Sequence, residues 1–209
     1  AVHDLIKKYA TEHQRIVFSG NGYSEEWVEE AKRRGLPNIR TMVESIQYLC
    51  DEKSVQMFER FHVFSRAELE SRAEIKYEAY AKAVNIEARS MIDIASKHII
   101  PAVIRYVTAL ATSVNQVHQA SSLADTSVQD DLLVEASRLL TETKTALQKL
   151  VDVMNGVGDR AEGKEQAYYF MEQVVPAMEN LRKPVDELEM IVDKNMWPMP
   201  SYGDLLFEV

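Results

Sequence analysis

The chain has 209 residues, 46% of them apolar and 27% charged, and a formal net charge of −9. That balance belongs to a folded globular protein, and the acidic excess argues against general nucleic-acid binding, which needs a basic footprint. A single cysteine, Cys50, excludes an internal disulfide framework and a cysteine-built zinc cage, and suits a reducing, cytoplasmic setting.

The opening stretch is helix-like from the start, with no signal peptide and no initiator Met before Ala1, as expected of a piece cut from something longer. "RIVFSGNGYS", 15–24, holds one short β-prone run and then a turn at Ser19-Gly20-Asn21-Gly22. Ser24 is placed to cap a helix whose first turn holds Glu25 and Glu26 and whose last turn holds Lys32, Arg33 and Arg34 before Gly35. Thr41 is placed to cap another helix running towards Cys50. The first third therefore predicts short elements.

Long helices follow. Apolar residues recur at three- and four-residue steps in four series: Tyr77 to Ala95, Val103 to Val117, Leu132 to Val153 and Ala167 to Val192. The third series runs through Ala136, Leu139, Ala146 and Leu150 and is interrupted by Thr143. Narrow seams of this kind pack helices at small crossing angles, and each needs a neighbour. "SSLADTS", 121–127, and "NGVGDRAEGK", 155–164, read as the turns between them. Pro101, Pro176 and Pro184 lie within helical patterns, so each kinks a helix or restarts one, and the helix through 65–121 is expected to bend near Pro101. The longest apolar run, Ile99 to Val114, contains Pro101 and Arg105 and is too short to span a bilayer.

Several groups invite chemistry. Glu59-x-x-His62 has the spacing of a di-iron bundle ligand pair, but no second copy exists, and a solvated or structural pair fits it better. Gly20-Asn21-Gly22 lacks the rest of any phosphate-loop fingerprint and reads as a tight turn. Cys50 with His62 could pair nucleophile and base, but Cys50 lies on the apolar face of Ile46 and Leu49 and reads as core. Glu68, Glu70, Glu74 and Glu78 interleave with Arg66, Arg72, Lys76 and Lys82 as a solvated, salt-bridged face. Lys32-Arg33-Arg34 suits a helix C-terminus as well as an anion. His98 and His118 fall on or beside apolar seams and are expected to be packed and hydrogen-bonded. No catalytic, cofactor-binding or metal-binding residue is assigned.

Three stretches, "RIVFSGNGYSEEWVEEAKRRGLPNIRT" (15–41), "NIEARSMIDIASKHIIPAVIRY" (85–106) and "PAMENLRKPVDELEMIVDKNMWPMPSYGDLLFEV" (176–209), together resemble the C-terminal region of type III glutamine synthetases. The most specific parts are the Asn-Gly-Tyr-Ser-x-x-Trp turn and the Trp-Pro-x-Pro-x-Tyr-Gly ending. The resemblance implies a parent that joins ammonia to glutamate with ATP and a divalent metal (magnesium), assembling as stacked rings of identical subunits. Its metal, ATP and glutamate ligands belong to an upstream catalytic barrel, and none of those motifs occurs here.

The expectation is thus a mainly α chain: an antiparallel bundle of long helices with a short irregular N-terminal segment and an extended C-terminal tail. Residues 1–14 would be the trailing helix of an upstream catalytic domain, 15–64 a connecting segment of short helices, 65–196 the bundle and 197–209 a docked tail. Trp197, Tyr202, Leu205, Leu206, Phe207 and Val209 give that tail apolar surface to bury, with a groove beside the first third of the chain or the catalytic body as the expected seat. The function expected is non-catalytic support of assembly, inactive alone, with the rest of the parent and other subunits as partners and neither nucleic acid nor membrane. Two readings compete with it: a free-standing helical scaffold or partner-binding module, and a bundle with a metal site at Glu59 and His62.

Overall fold

A computed structural model describes residues 1–207, with the side chain of Phe207 and all of residues 208 and 209 outside that description. The described residues form helices and turns with no strand, so the chain is mainly α, as its periodicity requires. It divides into two compact units, Ala1–Tyr48 and Leu49–Val209.

The first unit holds α1 (Val2–Glu12), α2 (Glu25–Arg33) and α3 (Met42–Ile46). Thr41 caps α3 as its position predicts, its hydroxyl oxygen accepting from the Glu44 N–H at 3.2 Å. Ser24 stands at the N-cap of α2 but does not cap it. Its hydroxyl donates instead to the Asn21 carbonyl at 2.7 Å, while the Asn21 side chain accepts from the Tyr23 N–H at 3.0 Å, so the serine closes the turn before the helix. At the other end of α2, Gly35 takes φ 66°, and the Leu36 N–H reaches the Ala31 carbonyl at 2.9 Å, a Schellman ending that favours glycine.

The second unit holds α4 (Glu52–Arg60) and three antiparallel rods. The first rod is α5 (Arg66–Ile94) joined through one π-helical turn, Ala95–Ile99, to α6 (Ile100–Ala120). The second is α7 (Ser127–Asn155). The third is α8 (Lys164–Tyr169), a second π-helical turn at Phe170–Val174, and α9 (Val175–Ile191). Proline explains both π turns. Its ring clashes with the carbonyl four residues back and it has no N–H to give, so the ladder before Pro101 and Pro176 widens: Ile100 N–H donates to the Ala95 carbonyl and Val175 N–H to the Phe170 carbonyl. Each proline then occupies a helix first turn, where a missing N–H costs nothing. The expected discontinuity near Pro101 is this turn.

Two contiguous clusters make the core. Leu147 and Leu150 of α7 meet Ala81, Val84 and Ala88 of α5 and Phe170, Val174 and Leu181 of the third rod. Further along, Ala136 and Leu139 of α7 meet Val103 and Tyr106 of α6 and Leu188 of α9. The early part of α7 thus lies by α6 and its late part by α5, which is the antiparallel course. The buried edge of α7 differs from the expected seam. Thr143 is fully buried, and Leu147 and Met154 take the places expected of Ala146 and Val153, which are only partly covered. Steps of 139, 143, 147, 150 and 154 keep one helix face inward, and the larger side chains fill it.

The start of α5 is closed by a capping box. The Ser65 hydroxyl accepts from the Glu68 N–H at 3.4 Å, and Glu68 accepts from the Ser65 N–H at 2.8 Å, a motif usually worth about 1 kcal/mol. Gly163, at φ 82°, starts α8 where a Cβ would run into the Glu74 carboxylate.

Candidate functional site

An apolar groove of about 710 Å³ lies within the second unit, between the end of α5, α9 and the closing stretch of the chain. Met91, Ile94, Leu181 and Val185 supply apolar lining, and Trp197 and Leu205 come from the tail. The tail reaches this place by local chemistry. After Val192 turns extended, the Met196 and Trp197 N–H groups donate to the Asp193 carbonyl at 2.9 and 3.0 Å. The Trp197 ring packs on the α6–α9 cluster and its Nε1–H donates to Glu189 Oε1 at 3.1 Å. Trp197 is therefore seated on its own bundle.

Beyond the prolines, Ser201 caps a last turn, α10 (Tyr202–Phe207). Asp204 accepts from the Ser201 N–H at 2.7 Å and from the Lys194 ammonium at 2.9 Å. The Lys194 contact is the largest cause, with the Ser201 bonds next, of an Asp204 carboxyl held down to about 2. Tyr202, Leu205 and Leu206 remain exposed, Tyr202 at 86%, while the expected burial of Phe207 and Val209 falls outside the described side chains.

The groove can bury apolar groups and offers little reactive chemistry. Its charges are spent: Arg182 pairs with Asp186 at 3.0 Å and Glu189 holds Trp197. Among the described residues no histidine, cysteine or lysine lines it.

Each sequence candidate has a structural destination. Glu59 and His62 line one small cleft together, and Cys50 is not part of its lining. The Glu59 carboxylate accepts from the Arg66 N–H at 3.1 Å at the start of α5, and His62, at φ 54°, terminates α4. The His62 N–H meets the Glu59 carbonyl and the Val63 N–H the Phe58 carbonyl, both at 3.0 Å, a second Schellman ending with histidine where glycine is usual. Among the described residues no three His, Cys, Asp or Glu side chains are grouped to hold a metal ion. Gly20 lies against the Phe18 ring, which sits tilted against the Trp27 ring with centroids 4.8 Å apart.

Arg33 and Arg34 both grip Glu30, and their hydrogen bonds, Arg33 first, hold its carboxyl down to about 2. Arg34 also donates to the Gln14, Arg15 and Val17 carbonyls at 3.2, 3.2 and 2.5 Å, fastening the turn after α1 to α2. Cys50 is half-buried. Of the mixed-charge face of α5, Glu78 pairs with Lys82 at 2.9 Å, and Arg72 lies over the Phe64 ring at 4.3 Å. His98, within the first π turn, is exposed rather than packed. His118 is exposed as well but meets the Thr126 hydroxyl at 3.0 Å.

Sequence reasoning passed over two of these features that carry a signal. Ser65-x-x-Glu68 and Ser201-x-x-Asp204 both have capping-box spacing. The Arg34 clasp and the Trp197–Glu189 bond have no local signal, since each needs the folded chain.

Comparison with known proteins places this helical chain. The family model described as the glutamine synthetase C-terminal domain matches residues 1–118. The type-3 glutamine synthetase of Dictyostelium discoideum is 34% identical over 99% of the chain, and the match takes up 29% of that protein. The glutamine synthetase of Butyrivibrio fibrisolvens is 31% identical over 100% of the chain and 30% of its own length. That of Bacteroides fragilis (strain YCH46) is 31% identical over 99% of the chain and 29% of its own length. The chain thus spans about 30% of the length of the curated relatives it matches. No described helix is long and apolar enough to cross a membrane. The chain belongs to the glutamine synthetase C-terminal domain family.

Proposed function

We propose that this chain is the non-catalytic helical module of a type III glutamine synthetase, serving assembly and structural support of a cytoplasmic homo-oligomer. The parent would ligate ammonia to glutamate with ATP and magnesium. The observation that carries the reading is similarity along the whole chain to proteins more than three times its length.

The residues present do not fit ATP or a divalent metal. A triphosphate calls for several cations and backbone donors, yet the groove has one arginine, already paired with Asp186. A magnesium ion calls for free carboxylates, yet Glu59 and Glu68 accept backbone N–H groups. No catalytic step is therefore assigned to these residues, and what they offer a parent enzyme is apolar surface.

The test compares the full-length parent with a form lacking these 209 residues. Light scattering should show a lower assembly state without them, and the isolated chain should bind neither ATP nor glutamate by calorimetry. A stoichiometric micromolar nucleotide site on the isolated chain, or unchanged assembly after deletion, overturns the reading. An intact chain with no polypeptide ahead of residue 1 would point to the free-standing scaffold instead.

A further inference from the structure

Helix α1 is 11 residues long, and none of them is buried. Helices of that length are marginal in water without a packed face. Val2, Leu5, Ile6 and Tyr9 recur at steps of three, one and three, which places them on one side, and all four are exposed. Asp4, Lys7, Lys8 and Glu12 supply the polar side. The base of the helix is firmly held, since Arg34 ties the turn at Gln14–Val17 to α2. A fastened base with an uncovered apolar stripe is the form of a surface awaiting a partner.

We propose that this stripe is covered by the polypeptide preceding residue 1 in the parent chain, so that α1 is an intramolecular docking helix. The inference rests on the reading of the chain as part of a longer synthetase. Three observations select that occupant over a second copy. The curated relatives extend far beyond the matched stretch, which takes up only 29% to 30% of each. The matching family is described as a C-terminal domain, which on the reading proposed above puts the rest of the parent ahead of α1 in the chain. A segment joined that closely meets the stripe at an effective concentration in the millimolar range, which a separate molecule does not reach in dilute solution.

Hydrogen exchange at the α1 amides, read in the full-length parent and in the 209-residue chain, tests this. Exchange should be slowed about a hundredfold or more in the parent relative to the shorter chain, reflecting a helix that opens only with its docked neighbour. Leu5→Asp in the parent should abolish most of that slowing, whereas Lys8→Asp on the polar side should leave it. Equal, fast exchange in both proteins overturns the proposal. So does protection in the shorter chain that grows with its concentration, because a second copy would then be the occupant. A parent that makes glutamine with α1 unprotected defeats the docking alone, and one that protects α1 but makes no glutamine defeats the functional reading alone.

Discussion

Residues 1–48 and residues 49–209 are both helical, but they are stabilised in different ways. Among the described residues the second region buries twenty-four apolar side chains, in clusters that run along three rods. The first buries three, Ala31, Val43 and Ile46, and leaves ten large apolar side chains exposed. At roughly 1.5–3 kcal/mol for each large side chain fully hidden, the second region gains far more from burial than the first. The first is held by local polar devices: the Thr41 cap, the Asn21–Ser24 turn, the Gly35 ending and the Arg34 clasp. Such devices fix a conformation more readily than they stabilise one, so a region built this way suits a surface that another body completes.

The largest effect that can break this contrast is a pair of truncations. Phe170→Ala, at the second π turn, removes a side chain that is 1% exposed and should cost about 3–5 kcal/mol in urea unfolding of the 209-residue chain. Leu5→Ala, in α1, should change the same transition by less than about 0.5 kcal/mol. A comparable loss at both positions would mean that the first region is as well packed as the second.

The helical architecture was readable because 3-4 spacing records burial directly. Val84, Ala88, Leu139, Leu150, Val174, Leu181 and Leu188 lie in the expected seams and are buried. What periodicity misjudged was a polar residue on a buried face. Thr143 broke the pattern by composition but not by position, and it is buried completely. The prolines announced a disturbance without announcing its form, since a π turn is one of several ways to seat a proline. The groove and the arginine clasp were not legible, because they join residues far apart in sequence: Arg34 meets carbonyls 17 to 20 positions away. The aromatic ending was legible as surface to bury, but its seat was not. Trp197 sits on its own bundle because Asp193 turns the chain back and Glu189 takes the indole N–H, and neither contact has a sequence signature.

Thr143 also offers the next effect in size. Its hydroxyl is buried with no hydrogen-bond partner. Thr143→Val replaces that oxygen with a methyl group of similar shape and should stabilise the second region by about 1–2 kcal/mol. A raised urea midpoint with an unchanged slope checks it. A lowered midpoint would show that the hydroxyl is satisfied in solution, by water for instance, and that the core is wetter there than its neighbours imply.

Two matching helix endings sharpen the comparison further, one in each region. Gly35 and His62 both hold positive φ at Schellman endings, at 66° and 54°. Only glycine takes that conformation without a Cβ penalty, so Gly35→Ala should destabilise α2 and His62→Gly should stabilise the end of α4, each by about 1 kcal/mol. The readouts differ by region. His62→Gly should raise the global melting temperature by a few degrees, because α4 belongs to the larger unit. Gly35→Ala should leave the global transition almost in place and appear as faster hydrogen exchange confined to α2. A global shift from Gly35→Ala would show that the two regions unfold together.

The smallest effect is electrostatic, and it has one representative in each region. Glu30 and Asp204 are each held down to about 2, against ordinary values near 4.5 and 3.8. A depressed carboxyl favours the fold when ionised. Each contribution is therefore complete above the ordinary value, near pH 4.5 for Glu30 and 3.8 for Asp204, and is lost as pH falls towards 2. Both carboxylates meet water, so the energies are small and screened by salt. NMR titration of the carboxyl carbons should find both groups still ionised at about pH 3 in low salt, with Glu30 moving upward in Arg33→Ala and by less in Arg34→Ala. In about 1 M salt both should drift back towards ordinary values. The two carboxyls differ in the structural consequence of protonation. At Asp204 the Trp197 anchor remains, so only the last turn should loosen. At Glu30 the same carboxylate orients the arginine that holds the Gln14–Val17 turn, so acid should free the base of α1 while the three rods stay folded. If far-UV circular dichroism and Trp fluorescence instead change together across pH 4 to 2, the polar devices of the first region are coupled to the core of the second.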